Sequence, residues 1–169
     1  IYNNPSTTNF IFSPDLIARL SQVPHIAGVK MPLPGNGDFA GELANLRSRT
    51  PEGFVIGYSG DWGAKDSLLA GGDTWFSVVA GLLPVPALRL TRAAASGNTQ
   101  KATQIDEAFS ALWALFKEFG SFRVMYALAN LLDGSRIEPM RPVQPLTSDV
   151  RLKVQAALDA FHESIASLE

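Results

Sequence analysis

Up to Ser77 the chain alternates short, unbroken apolar runs with segments of helical character, and this period restricts the fold more than any single residue does. Ile26 to Lys30, Phe54 to Tyr58 and Thr74 to Val78 read as strands. Phe39 to about Arg49 and about Trp62 to Ala70 read as the helices between them. Strands that are apolar along their whole length, rather than at every second residue, belong in a parallel sheet covered by helices. Ser13-Pro14-Asp15 marks a further helix start, with a serine cap, proline at the first helical position and an acid in the first turn. That helix runs to about Val23. With the extended Ile1-Tyr2 segment counted, strand ends fall at about Tyr2, Lys30, Gly60 and Ser77.

From Pro84 the pattern becomes helical throughout. Pro86 to Ser96 closes at Gly97, and Ile105, Ala108, Phe109, Leu112, Trp113, Leu115, Phe116 and Phe119 form an apolar stripe at helical spacing. The stripe reads as core or subunit interface rather than a cofactor box. Phe122 to Leu132 is another helix. Arg141 to Pro145 is a linker, and Thr147-Ser148-Asp149 opens a last helix to about Ser164. The expected division is an α/β region over 1–97 and a helical region over 98–169.

Composition narrows the function classes. The 169 residues suffice for a real core, and 46% hydrophobic with 18% charged residues is globular. A net charge of −2 with no basic stripe argues against a nucleic-acid partner. No cysteine is present, which excludes disulfides and thiolate chemistry and fits a cytoplasmic protein. The longest apolar run, Trp75 to Leu83, falls short of the roughly 20 residues a membrane span requires. His25 and His162 stand apart from any metal-ligand spacing, so neither metal nor cofactor is called for.

Lys30 carries the sharpest chemical suggestion. A charged amine closing an apolar strand costs free energy unless it snorkels to water or has a task. One task is nucleophilic attack on a carbonyl, for which the amine must be unprotonated. Tyr2 belongs on the neighbouring strand at the same end of the sheet, where a phenol can relay protons during imine formation and carbon–carbon cleavage. At the next two strand mouths, Gly60 would admit a ligand close to the backbone, and Asp61 either binds that ligand or caps the following helix. Phe76-Ser77 holds the last strand mouth, where Ser77 either hydrogen-bonds a substrate oxygen or satisfies the local backbone. Gly35-Asn36-Gly37 before a helix is a weaker phosphate-cradle candidate, since it lacks the third glycine of the dinucleotide fingerprint.

Taken together, Tyr2-Asn3-Asn4-Pro5-Ser6-Thr7-Thr8, Gly28-Val29-Lys30, Ser59-Gly60-Asp61 and Gly71-Gly72 leading to Ser77-Val78 resemble the dihydrodipicolinate synthase / N-acetylneuraminate lyase family. Arg141 to Leu146 resembles that family's linker into its last helix. The resemblance implies a TIM barrel with an added helical region and active-site residues at the C-terminal ends of strands. It implies that Lys30 forms a Schiff base with pyruvate or another 2-oxo acid, that Tyr2 is the proton-relaying phenol, and that Thr7, Gly60, Asp61, Phe76 and Ser77 bind substrate. Thr7 stands where the synthase branch has an arginine and cannot hold a carboxylate bidentately, which argues against lysine biosynthesis. Met31-Pro32 after the lysine argues against the sialic acid lyase.

The family's chains are about twice this long. The expected architecture is therefore the C-terminal half of a (β/α)8 barrel, strands five to eight, followed by a helical region. A half barrel has open sheet edges, so the chain is expected to form a homo-oligomer or to bind the missing N-terminal half. The alternative is a non-catalytic half barrel that self-associates or binds a partner.

Overall fold

The computed structural model describes residues 1–168, which separate into two compact units. One comprises Ile1–Ser77 with Ala94–Gly97, and the other comprises Val78–Ala93 with the chain from Asn98 onward.

The first unit is built on three parallel strands, β1 (Gly28–Met31), β2 (Val55–Ser59) and β3 (Thr74–Phe76), in that spatial order. Helix α1 (Pro5–Thr8) and helix α2 (Pro14–Leu20) precede β1. Helix α3 (Phe39–Arg47) connects β1 to β2, and a short 3-10 turn (Asp61–Gly63) running into α4 (Ala64–Leu69) connects β2 to β3. The helix starts follow the local chemistry. Ser13 accepts the Leu16 amide at the head of α2, where Pro14 needs no partner for a missing N–H. Asp38 accepts the Gly41 amide at 2.8 Å to open α3. That carboxylate already holds a first-turn amide that a phosphate behind Gly35-Asn36-Gly37 would compete for.

Alternation along the strands sends Val29, Met31, Ile56 and Tyr58 to the helix side. There they form one core with Ile17 of α2, Leu43 and Leu46 of α3, and Phe54. Lys30, Gly57 and Phe76 point to the other side. Gly57 lies across from both Lys30 and Thr74 in register, and a Cβ at Gly57 would stand 2.3 Å from Thr74 Cγ2 and 2.7 Å from Phe76 Cε2. The bare backbone at Gly57 is what lets the Phe76 ring lie so close over the middle strand.

The sheet corrects the expected architecture. Four strands of a C-terminal half barrel were expected, and three are present. The Tyr2 segment meets β1 only through an isolated parallel bridge, Tyr2 to Lys30, in which Lys30 N donates to Ile1 O and Asn3 N donates to Lys30 O. Pro5 opens α1 directly afterwards, so the ladder cannot extend past Asn3. The chain is a three-stranded parallel α/β layer together with a helical unit, and the assignment to strands five to eight is not retained. β3 is also shorter than the apolar run suggested, because Val79 begins a 3-10 turn (Val79–Gly81).

The second unit contains most of α5 (Pro84–Ala95), then α6 (Thr99–Ala108), α7 (Ser110–Phe119), α8 (Ser121–Asp133) and α9 (Ser148–Ala166). The aromatic stripe is its core. Phe109 stacks on Trp113 with ring centroids 4.7 Å apart and meets Phe161 of α9 at 4.6 Å. Leu112, Phe116, Leu128 and Val154 are buried with them. The segment between α8 and α9 is fixed by arginines rather than by secondary structure. Arg123 donates to Gln144 O and Pro145 O, and Arg151 donates to Leu146 O.

Candidate active site

Lys30 sits one residue before the end of β1, half-buried, on the face of the sheet opposite the helices. Its Nζ lies 5.1 Å from the Tyr2 ring centroid and 5.5 Å from that of Phe76. Both contacts are within cation–π range, and no carboxylate pairs with Lys30 among the described residues. Each contact has a simple origin. The Tyr2–Lys30 bridge puts two residues of equal register on one face, and Phe76 reaches over Gly57 from two strands away. Tyr2 and Phe76 remain substantially exposed, at 43% and 39%, so the amine is flanked by ring faces yet open to solution.

The loop after Tyr2 is anchored from below. Asn3 is buried, its Oδ1 accepts the Phe12 amide and its Nδ2 donates to Phe12 O, which closes the segment containing α1 against β1. Asn4 takes the opposite course. Its Nδ2 donates to Tyr2 Oη at 2.7 Å, and its Oδ1 accepts from Ser6 Oγ at 2.7 Å.

The remaining residues expected at the site do not all converge on Lys30. Thr7 is exposed on α1, with its amide on Asn4 O, and makes no side-chain contact with the lysine. Gly60 adopts φ +96°, a left-handed value that glycine tolerates best, but the space above it is taken by Leu33, whose Cδ1 would stand 2.9 Å from a Cβ there. Leu33, not a ligand, makes the close approach. Asp61 is buried, and its Oδ1 accepts Trp75 Nε1–H at 2.8 Å. Trp75 alternates with Phe76 and so leaves the sheet on the other side, which draws Asp61 away from the lysine. Ser77 follows β3 directly and is half-buried. Tyr2, Lys30 and Phe76 are therefore the cluster the fold assembles. The Asn4–Ser6 pair was missed as a site feature. Its one legible signal was an asparagine directly before a helix-opening proline.

Behind the sheet lies a second polar feature. Tyr58 Oη and Glu42 Oε2 are buried, and neither makes a well-formed hydrogen bond. Burial pushes the Tyr58 phenol well above its ordinary range, and the neighbouring Glu42 carboxylate adds to the effect. Burial also raises the Glu42 carboxyl; the nearby Tyr58 hydroxyl offsets part of this and Asp38 adds to it.

Comparison with known proteins places this arrangement. The model of the dihydrodipicolinate synthetase family matches residues 1–161. The chain belongs to that family. Among curated family members, the 4-hydroxy-tetrahydrodipicolinate synthase of Neisseria meningitidis serogroup B (strain MC58) is 33% identical over 163 residues, covering 95% of this chain and 54% of the relative. That of Shewanella denitrificans is 36% identical over 133 residues, 78% of this chain and 44% of the relative. Among solved structures, dihydrodipicolinate synthase from Agrobacterium tumefaciens str. C58 superposes with a TM-score of 0.93 at 60% identity, covering 95% of this chain and 54% of that one. The chain thus spans about half the length of the family members it matches. No helix among the described residues is long and apolar enough to cross a membrane.

Proposed function

We propose that this chain supplies the amine and the phenol of a Schiff-base-forming lyase, aldolase or synthase acting on pyruvate or a related 2-oxo acid. The observation that carries the reading is Lys30 Nζ held 5.1 Å from the Tyr2 ring on the open face of the sheet, without a carboxylate partner among the described residues. Once the ammonium has given a proton to solvent, an amine so placed can attack a ketone carbon. Attack gives a carbinolamine; loss of its hydroxyl as water, with a proton from the Tyr2 phenol, gives the protonated imine and a phenolate. The cationic imine would keep the same two ring faces as neighbours that the ammonium has, so the site need not rearrange as the bond forms.

Among the remaining candidate positions, Ser77 directly follows Phe76 of the cluster in the chain. Thr7 offers a hydroxyl and no charge, so a second carboxylate would have no bidentate partner there. The substrate class named is accordingly the 2-oxo acid alone. Self-association and a cytoplasmic setting belong to the same reading, the latter consistent with the cysteine-free sequence.

The test is reductive trapping. Incubation of the chain with pyruvate and borohydride, followed by intact-mass and peptide mapping, should place one reduced pyruvate on Lys30. A Lys30→Arg variant of unchanged circular dichroism should carry none. Adduct spread over surface lysines, or absent from the wild-type chain at saturating pyruvate, would count against the reading.

A further inference from the structure

Asn4 holds the N-cap position of α1, where an asparagine ordinarily turns its side-chain oxygen to an amide of the first helical turn. Here it makes no such bond. The Thr7 and Thr8 amides are served instead by the backbone oxygen of Asn4, and Pro5 has no amide to satisfy. The carboxamide is thereby released for another use, and both of its ends are engaged. Ser6 Oγ donates to Oδ1, which leaves Nδ2 to point at Tyr2 Oη. The order Ser6 to Asn4 to Tyr2 has a direction: each group donates to the next. A phenol oxygen that already accepts an amide hydrogen retains its own hydrogen for donation elsewhere, and the ring that carries it has Lys30 Nζ 5.1 Å from its centroid.

From this geometry we infer that Asn4, oriented by Ser6, is a positioning residue that keeps the Tyr2 phenol poised as a proton donor beside Lys30. The inference rests on the Schiff-base reading and deepens it. When the carbinolamine hydroxyl departs as water with the Tyr2 proton, the carbon–nitrogen double bond forms and the phenol is left as a phenolate. The Asn4 N–H that was donating to a neutral oxygen then donates to an anion, and such charge-assisted bonds are the stronger kind. The contact therefore strengthens as the proton leaves, which is what lowers a barrier rather than merely holding a ground state. The phenolate recovers its proton from solvent when the imine is hydrolysed.

Asn4→Asp is the decisive variant because it preserves shape and the acceptor for Ser6 while removing the donor to Tyr2. Its carboxylate would also draw the phenol hydrogen to itself. The rate of imine trapping with pyruvate is expected to fall about three- to tenfold in Asn4→Ala and further in Asn4→Asp. The final extent of adduct and the half-saturating pyruvate concentration should stay at wild-type values. Ser6→Ala should show a smaller slowing in the same direction. In a Tyr2→Phe background, Asn4→Asp should cost nothing more, since its effect passes through the phenol. Wild-type trapping rates in Asn4→Asp, or an Asn4→Asp effect that persists without the Tyr2 hydroxyl, would overturn the inference. A second measurement is independent of chemistry. The tyrosine Raman doublet, whose intensity ratio reports whether a phenol oxygen accepts or donates, can be isolated for Tyr2 by subtracting the Tyr2→Phe spectrum. The Tyr2 ratio should move from acceptor-like toward donor-like in Asn4→Asp. If wild type forms no adduct, the Schiff-base reading falls on its own, and an unmoved Tyr2 ratio would separately remove the role of Asn4.

Discussion

Replacing Glu42 with glutamine is expected to stabilise the protein near pH 7.5 and to leave it unchanged near pH 4. The Glu42 carboxyl is raised above its ordinary value of 4.5, first by burial. The folded state therefore holds this proton more tightly than the unfolded chain does. The stability it contributes is complete below the ordinary glutamate value and is lost as pH rises through the raised, folded one. Above that point the protein carries an ionised carboxylate with one oxygen, Oε2, shielded from water and unbonded. A buried unsatisfied polar atom costs about 1–3 kcal/mol, and because Glu42 is only half-buried the lower end, about 1 kcal/mol, is the appropriate figure. Glutamine removes the charge, and its Nε2 can donate to the unpartnered Tyr58 Oη. Urea unfolding at the two pH values, followed by tryptophan fluorescence and far-ultraviolet circular dichroism, measures the difference directly. The expected gain of about 1 kcal/mol corresponds to a rise of about 2–4 °C in Tm for a chain of this size. An equal gain at both pH values would show that the charge is not responsible. A loss near pH 7.5 would show that the Tyr58 phenol satisfies the carboxylate after all, and Tyr58→Phe would then lose stability at the same pH.

Three further outcomes follow from the packing. Leu46→Ala, at a fully buried position between α3 and the sheet, should cost about 2–5 kcal/mol in urea unfolding. Asp73→Ala should cost about 1–3 kcal/mol, because Asp73 Oδ2 accepts the Ile56 amide at 2.7 Å and Oδ1 pairs with Arg47; Asp73→Asn should recover part of it. Gly60→Ala should cost about 1–3 kcal/mol through its backbone conformation, and trimming Leu33 to alanine should not rescue it, since the strain persists once the contact is gone.

The sequence was most readable where a local rule sufficed. Ser13 and Asp38 cap the helices they precede, because an N-cap needs only neighbours within the same turn. The three interior apolar runs are strands, although the large side chains they bury, Val29, Met31, Ile56 and Tyr58, all lie on the helix side. Reading Tyr2 as a strand end failed on competition: Pro5 starts a helix before a ladder can propagate, so only one bridge forms. The stripe from Ile105 to Phe119 keeps helical spacing, but spacing does not show that the chain divides at Phe109, whose ring turns to Trp113 and Phe161. The proximity of Tyr2 and Lys30 was legible because parallel neighbours share a register. The diversion of Asp61 to Trp75 was not, since nothing in the spacing of residues 61 and 75 reveals which side of the sheet an indole will take.

Gly57 gives the Tyr2–Lys30–Phe76 cluster an adjustable element that carries no side chain of its own. It is the missing side chain on the middle strand that allows Phe76 to lean toward Lys30. Even a methyl group at position 57 would have to push the ring aside, and the apolar wall beside the amine would move with it. On the proposed Schiff-base reading, substrate preference could therefore shift through position 57 with Tyr2, Lys30 and Phe76 all kept. A paired library at positions 57 and 76, selected on different 2-oxo acids, is where a change of specificity should first emerge.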